Sequence, residues 1–291
     1  MTILITGATG NVGRPLVALL RQADAKVRAL SRNPASAGLP ADVDVVSSVA
    51  EALDGVTAVF LNSRALGSDL AWTVEAARRA GATKLVALSA INADDDFSRQ
   101  PSRFRGDRNK EAEQYAVDSG LQWVSLRPSL FATNFVGMWA GQLQAGNVVA
   151  GPYASAASAP IVEDDIAGVA AHALLTDDLV GRKIELTGPQ SMTNTELVAI
   201  IGQELGRPLH YQEIPIDLVR QRFTALGFPP EFGAAYAALL AETVGTPAVV
   251  TDEVERILGR PATTFSQWVR QHRAAFGASP IATPANIAKE N

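Results

Sequence analysis

Cysteine is absent from the 291 residues, which removes disulfide bridges, a thiol nucleophile and thiolate metal sites together, and fits a reducing compartment. Histidine is nearly absent: the 3 present, His172, His210 and His272, are far apart and belong to no H-E-x-x-H or His-carboxylate ligand pattern, so no metal is assigned. Positive charge is not in excess. A net charge of -5 gives no long-range attraction to phosphate backbones or anionic lipid, and neither nucleic acid nor membrane is an expected partner. Long apolar runs are missing as well. The first one, Thr2-Ile3-Leu4-Ile5-Thr6, is too short for a signal peptide or a membrane span, which sets the expectation of a cytoplasmic protein. What remains is 47% hydrophobic and 19% charged, an ordinary globular composition in a chain long enough for one large domain with an appended lobe.

Short β-branched runs alternate with longer helical patterns through the first half, the pattern of βαβ units and a parallel sheet. Strands are expected over Ile3 to Thr6, Lys26 to Leu30, Val43 to Val46, Ala58 to Leu61, Lys84 to Ser89 and Gln122 to Leu126, with helices starting from Val12, Asp69 and Arg103. Beyond Arg127-Pro128 the pattern loosens into Gly, Ala, Ser and Pro (Gly141 to Pro160). A helix then opens at Asp164-Asp165 and runs through Leu175, and Lys183 to Leu186 adds a strand. Thr193 is a plausible N-cap for a helix Thr195 to Leu205 ended by Gly206. His210 to Ile214 reads as extended, more helices lie between Asp217 and Leu258, and Phe265 to Phe276 reads as a closing helix. The fold class expected is α/β, a doubly wound parallel sheet of Rossmann type with a smaller α/β C-terminal lobe that takes substrate. Residues 1–130 and about 160–188 fall to the dinucleotide domain, about 131–159 and 189–277 to the lobe, and 278–291 to a frayed tail.

The strongest local signal is Gly7-Ala8-Thr9-Gly10-Asn11-Val12-Gly13, set between the first strand and a helix. One glycine permits the tight turn, a second lets backbone approach a pyrophosphate, and a third lets helix pack close on strand. The helix N-terminus then offers N–H groups to the phosphates. Gly7, Thr9, Gly10, Asn11, Val12 and Gly13 are therefore candidate cofactor contacts. An NAD site usually carries an acidic residue after the second strand. Here that strand ends Ser31-Arg32, a hydroxyl and a planar cation that suit a 2′-phosphate, unless Arg32 is simply an exposed surface arginine. NADP(H) is the expected cofactor and NAD(H) the second choice. Leu61, Asn62 and Ser63 end the fourth strand and Ser89 the fifth, where ligands bind in open α/β sheets.

The G-x-x-G-x-x-G spacing resembles the short-chain dehydrogenase/reductase superfamily in its extended or atypical branches. Four further segments resemble its NmrA-like atypical group, which includes NADPH quinone reductases and NADP-sensing regulators. They are Leu88-Ser89-Ala90, Lys110 with Glu113 ahead of Ser119-Gly120-Leu121, Arg127-Pro128-Ser129-Leu130-Phe131 with Asn134, and Thr251-Asp252-Glu253-Val254 through Gly259-Arg260-Pro261. The resemblance implies a catalytic Ser89 and Lys110, with Lys110 reaching the cofactor ribose. It adds cofactor contacts at Pro128 and Ser129 and a substrate wall at Phe131 and Asn134, unless Phe131 is simply core and Lys110 a solvated helix lysine.

The superfamily's tyrosine, four residues before its lysine, is not matched: Gly106 stands there, and Tyr115 lies on the wrong side of Lys110 to substitute. Reducing a simple ketone makes a strongly basic alkoxide that needs a positioned acid, whereas a quinone yields a phenolate-like anion that water can protonate. The expected activity is therefore NADPH-dependent hydride transfer to a small-molecule aromatic or quinone substrate, by a monomer or homodimer. The alternative is a catalytically silent NADP(H)-binding redox sensor acting through a protein partner. The run Arg99, Arg103, Arg105, Arg108 and Lys110 after Asp94-Asp95-Asp96 reads as a solvated face balanced by carboxylates or, more sharply, as a mobile lid that contacts an anionic substrate. Trp139, Phe223, Phe228, Phe232 and Tyr236 are expected to cap the cleft.

Overall fold

The computed structural model describes residues 1–277, so the tail expected over 278–291 lies outside the described residues. The chain runs β1 (Thr2–Thr6), α1 (Gly13–Gln22), β2 (Lys26–Leu30), β3 (Asp44–Val46), α2 (Val49–Ala52), β4 (Ala58–Asn62), α3 (Ser63–Leu66), α4 (Leu70–Arg79), β5 (Lys84–Leu88), α5 (Asn109–Asp118) and β6 (Gln122–Pro128). After α6 (Asn134–Ala145), β7 (Val148–Gly151) and β8 (Ala157–Ser158), it returns with α7 (Glu163–Leu175) and β9 (Arg182–Leu186). Seven strands form one parallel sheet in the order β3-β2-β1-β4-β5-β6-β9. Strand order reverses at β1, which opens a crevice beyond the carboxyl ends of β1 and β4.

Burial on both faces explains why the central strands β1, β4 and β5 read as continuous apolar runs. Ile3, Ile5, Ala58, Phe60 and Val86 turn to one side, under α1 and α7 through Leu16, Val17, Leu20, Ile166 and Ala170. Leu4, Val59, Leu61, Leu85 and Ala87 turn to the other, under α4 and α5 through Leu70, Val74, Ala112 and Ala116. The outer edge of β9 is covered by the chain at Thr251, whose hydroxyl donates to the Glu185 carbonyl at 2.8 Å and whose amide donates to the Thr187 hydroxyl at 2.9 Å.

The smaller lobe has its own core. It adds β10 (Met192–Thr193), α8 (Asn194–Leu205), β11 (His210–Glu213), α9 (Ile216–Ala225), α10 (Pro230–Ala241) and α12 (Phe265–Gln271), while α11 (Glu253–Leu258) returns to the sheet core through Val254 and Leu258. Phe135, Trp139 and Leu143 of α6 pack there with Leu197, Ile201, Phe265 and Trp268. Thr193 and Glu196 form a capping box on α8, and Gly206 ends the helix at φ 66°.

Three expectations shift. The helix expected from Arg103 begins only at Asn109, because 3-10 turns occupy Phe97–Arg99 and Pro101–Arg105 and Gly106 turns left-handed at φ 96°. The closing helix stops at Gln271 and continues as a 3-10 turn over Arg273–Phe276. Helix α6 and the parallel pairing of β7 with β11 were not expected at all. Among the described residues no helix is long and apolar enough to cross a membrane, and no His/Asp/Glu group could hold a metal ion.

Candidate active site

Chain leaves β1 through Gly7, at φ 72°, and closes a turn in which the Gly10 amide donates to the Gly7 carbonyl at 3.0 Å. A Cβ at Gly13 would lie 2.2 Å from the Gly7 oxygen and 2.7 Å from the Ala8 Cα, so only glycine lets α1 start this close to the strand. The amides of Asn11, Val12 and Gly13 find no acceptor among the described residues. Together they form a cradle of donors at a helix N-terminus, the right shape and polarity for a pyrophosphate. Thr9 is half-buried and its carbonyl accepts from Arg14 Nε at 3.1 Å, while the Arg14 guanidinium also donates to the carbonyls of Ala37 and Gly38. Arg14 therefore clamps the glycine loop to the segment after β2, a role the sequence did not signal.

At the end of β2, beside the β1 end, Ser31 is buried and its hydroxyl accepts from the Asn33 amide at 3.3 Å. Arg32 is exposed and has no carboxylate partner among the described residues. Across the crevice, the Thr6 hydroxyl donates to the Phe60 carbonyl and accepts the Asn62 amide, both at 2.8 Å. Asn62 caps α3 by accepting the amides of Arg64 and Ala65, and its side chain lies against Gly7. Leu61 is wholly buried.

Ser63 and Ser89 meet at Asn109. The Ser89 hydroxyl donates to the Asn109 carbonyl at 3.2 Å, and the Ser63 hydroxyl accepts the Arg108 amide at 3.0 Å and lies 3.5 Å from Asn109 Oδ1. Asn109 is thus a member of the site that sequence reasoning missed. Lys110, one residue on, turns elsewhere: its ammonium is 3.8 Å from Asp94 and its side chain is 41% exposed. No hydrogen bond joins Ser89 to Lys110, so the pair that the resemblance implies as catalytic does not act as a bonded unit. Pro128 ends β6 with its carbonyl accepting the Ile91 amide, and the Ser129 hydroxyl donates to the Ala159 carbonyl at 2.6 Å. Phe131 packs against the core of the sheet, and Asn134 is exposed at the start of α6.

The arginine run is held, not loose. Arg103 makes a bidentate pair with Glu111 and lies 3.7 Å over the Phe97 ring, Arg99 pairs with Glu242, and Arg105 stands 5.7 Å over Phe228. The Arg99 and Arg105 contacts dock the 97–105 segment on α10 and the loop before it, where Phe223 of α9, Phe228, and Phe232 and Tyr236 of α10 form one aromatic cluster. Trp139 is not part of it; it belongs to the lobe core beside Phe135 and Tyr211. The Tyr236 hydroxyl, 3.8 Å from the Met138 sulfur, is pushed up to about 12 by burial, and Tyr211 donates to the Pro152 carbonyl. Neither is placed to act as a ready acid.

Residues 7–177 match a family described as NAD(P)H-binding. The chain belongs to that family. It is 34% identical to the (4-alkanoyl-5-oxo-2,5-dihydrofuran-3-yl)methyl phosphate reductase of Streptomyces griseus, an alignment covering 94% of this chain and 99% of the relative. It is 30% identical to the NAD(P)H azoreductase of Xenophilus azovorans over 95% of this chain and 100% of the relative. In fold it superposes on the NADPH-dependent quinone oxidoreductase of Escherichia coli complexed with NADPH, with a TM-score of 0.79 at 23% identity, covering 94% of this chain and 100% of that one. With these relatives the protein stands among the NAD(P)H-dependent reductases.

Proposed function

We propose that the protein is an NADPH-dependent reductase of planar conjugated acceptors, of quinone or polycyclic aromatic type. The observation that carries this reading is Gly106. The position where the superfamily keeps its proton-donating tyrosine holds a glycine with left-handed backbone, three residues before α5 begins at Asn109. No side chain there could share a helix face with Lys110. The missing acid is thus built into the backbone, and the acceptor must be one whose reduced form is a delocalised anion.

When bound, the dinucleotide supplies hydride from its nicotinamide. The chain's own residues orient and shield. The amides of Asn11, Val12 and Gly13 hold the pyrophosphate, and Arg32 with Ser31 holds the 2′-phosphate. Ser63, Ser89 and Asn109 line the carboxyl ends of β4 and β5, while Ser129 and Phe131 follow β6. Rate comes from proximity and exclusion of water, with the aromatic cluster of α9 and α10 as a roof against which a flat acceptor can stack. The two sequence relatives fit: the names of both describe reduction of conjugated systems, an unsaturated lactone and an azo compound, and not of isolated ketones.

NADPH oxidation by the purified protein should exceed the buffer rate with quinones, azo dyes or unsaturated lactones. With simple aliphatic ketones it should be slower by at least ~100-fold, the usual worth of a positioned acid. Equal rates with ketones, or no oxidation with any acceptor, removes the reading. Arg32→Ala is expected to weaken NADPH binding by about 10–100-fold, the worth of a charged hydrogen bond, and to leave NADH binding within about twofold. Fluorescence titration with both dinucleotides measures this, and equal losses for the two would take Arg32 off the 2′-phosphate.

A further inference from the structure

Glu163, the first residue of α7, buries its carboxylate to 5% exposure and takes both of its hydrogen bonds from one residue. It accepts the Thr133 backbone amide at 3.0 Å and the Thr133 hydroxyl at 2.5 Å. A threonine hydroxyl ordinarily rotates to suit its surroundings. Here Glu163 takes the proton, which fixes the oxygen's lone pairs and presents them as an acceptor. Asn11 of the glycine loop meets that acceptor with its side-chain amide at 3.2 Å. Thr133 in turn is the N-cap position of α6, the first helix of the smaller lobe. Among the described residues this is the one side-chain hydrogen bond between the glycine loop and the 131–159 segment. A carboxylate stripped of water is expensive unless its partners use it fully, and here those partners are the Thr133 amide and hydroxyl.

We infer that Thr133, oriented by Glu163, is a positioning residue that couples the dinucleotide cradle to α6, so that occupancy of the glycine loop sets the lobe that faces the acceptor. The inference rests on the dinucleotide reading of the glycine loop. It assigns no role in hydride transfer, so binding alone tests it, whether or not any acceptor turns over.

The experiment measures the Kd for NADPH by calorimetry in the full chain and in Thr133→Val, Thr133→Ser, Asn11→Ala and the Asn11→Ala/Thr133→Val double variant. Thermal melts select the folded proteins. Thr133→Val should raise the Kd by about fivefold, the usual worth of one hydrogen bond, and Thr133→Ser, which keeps the hydroxyl, should stay within about twofold. Asn11→Ala keeps its backbone amide for the pyrophosphate. Its effect should merge with that of Thr133→Val, so that the double variant binds like either single one. Hydrogen exchange supplies the second readout: NADPH should protect the first turn of α6 in the parent and in Thr133→Ser, and not in Thr133→Val. An unchanged Kd in Thr133→Val, additive losses in the double variant, or equal protection of α6 in both threonine variants would overturn the coupling.

Discussion

Gly13→Ala is expected to weaken NADPH binding by about a hundredfold or more while leaving a folded protein. The added methyl would sit 2.2 Å from the Gly7 oxygen and within 2.8 Å of the Ala8 carbonyl carbon, all backbone, so no side-chain rotation can make room. Either the loop lifts or α1 slides away from β1. Overpacking of this kind costs about 1–3 kcal/mol in stability. Binding suffers more, because the cradle works only while its amides converge. Losing two charge-assisted hydrogen bonds at ~1.5–3 kcal/mol each amounts to about a hundredfold loss or more. Gly10→Ala is the internal control: its Cβ would be 3.2 Å from the same oxygen, tight but open to a small adjustment, and its φ is not positive. Calorimetry with NADPH should rank the parent first, Gly10→Ala next and Gly13→Ala last. A Gly13→Ala protein that binds within threefold of the parent would mean that the loop does not hold the dinucleotide.

Features governed by local periodicity were legible before the structure. The six expected strands all appear: β1, β4 and β5 are buried on both faces and read as short apolar runs, β2 and β3 are marked by their β-branched residues, and the glycine loop announces itself by spacing between strand and helix. Capping residues at Thr193 and Gly206 work through their immediate neighbours and were equally readable. Helix α6 was hidden for the opposite reason: Phe135, Trp139, Ala140 and Leu143 are buried and Met138 and Val136 pack partly on the same core, so little polar face remains to mark a 3.6-residue period, and Gly137 and Gly141 argue against a helix. The late start of α5 was hidden by arginines whose partners are tertiary, Phe97, Glu111, Glu242 and Phe228.

The site divides along the same line. Residues proposed to bind through backbone position could be named from sequence, since their place follows from the strand ends. Asn109, Arg14, Thr133 and Glu163 could not, because each matters through a contact that only the fold creates: Asn109 through Ser63 and Ser89, Arg14 through Ala37 and Gly38, Thr133 through Asn11. Lys110 was assigned by resemblance, and the geometry gives it a different neighbour, the Asp94 carboxylate.

That carboxylate, itself exposed, touches a buried Glu113–Arg127 pair whose loss should be strongly destabilising. Glu113 of α5 is 3% exposed and receives Arg127 through Nε at 2.8 Å and Nη2 at 2.6 Å, the Ser125 hydroxyl at 2.5 Å and Lys183 at 2.7 Å. Arg127 Nη2 also reaches Asp94 at 2.7 Å. Burial raises the Glu113 carboxyl, but hydrogen bonds from Arg127, Lys183 and Ser125 outweigh it and hold the group at about 2, against an ordinary 4.5. Glu113→Ala leaves the Arg127 guanidinium buried with only Asp94 beside it, at a cost of about 3–5 kcal/mol. Because the folded-state value is depressed, the stabilisation is fully present above about 4.5 and disappears as the pH falls toward about 2. Melting curves from pH 7 to pH 2.5 should therefore show the parent losing stability across that window. Glu113→Gln should start lower at pH 7 and lose less over the same interval. The consequence for binding follows from where the network ends: Arg127 immediately precedes Pro128 and Ser129, and Asp94 follows the Ile91 amide that the Pro128 carbonyl accepts. Loosening Glu113 frees the loops after β5 and β6 together, so Glu113→Gln, where folded, should also bind NADPH more weakly. A Glu113→Gln protein as stable as the parent at pH 7, with the same acid sensitivity, would show that the charge contributes nothing.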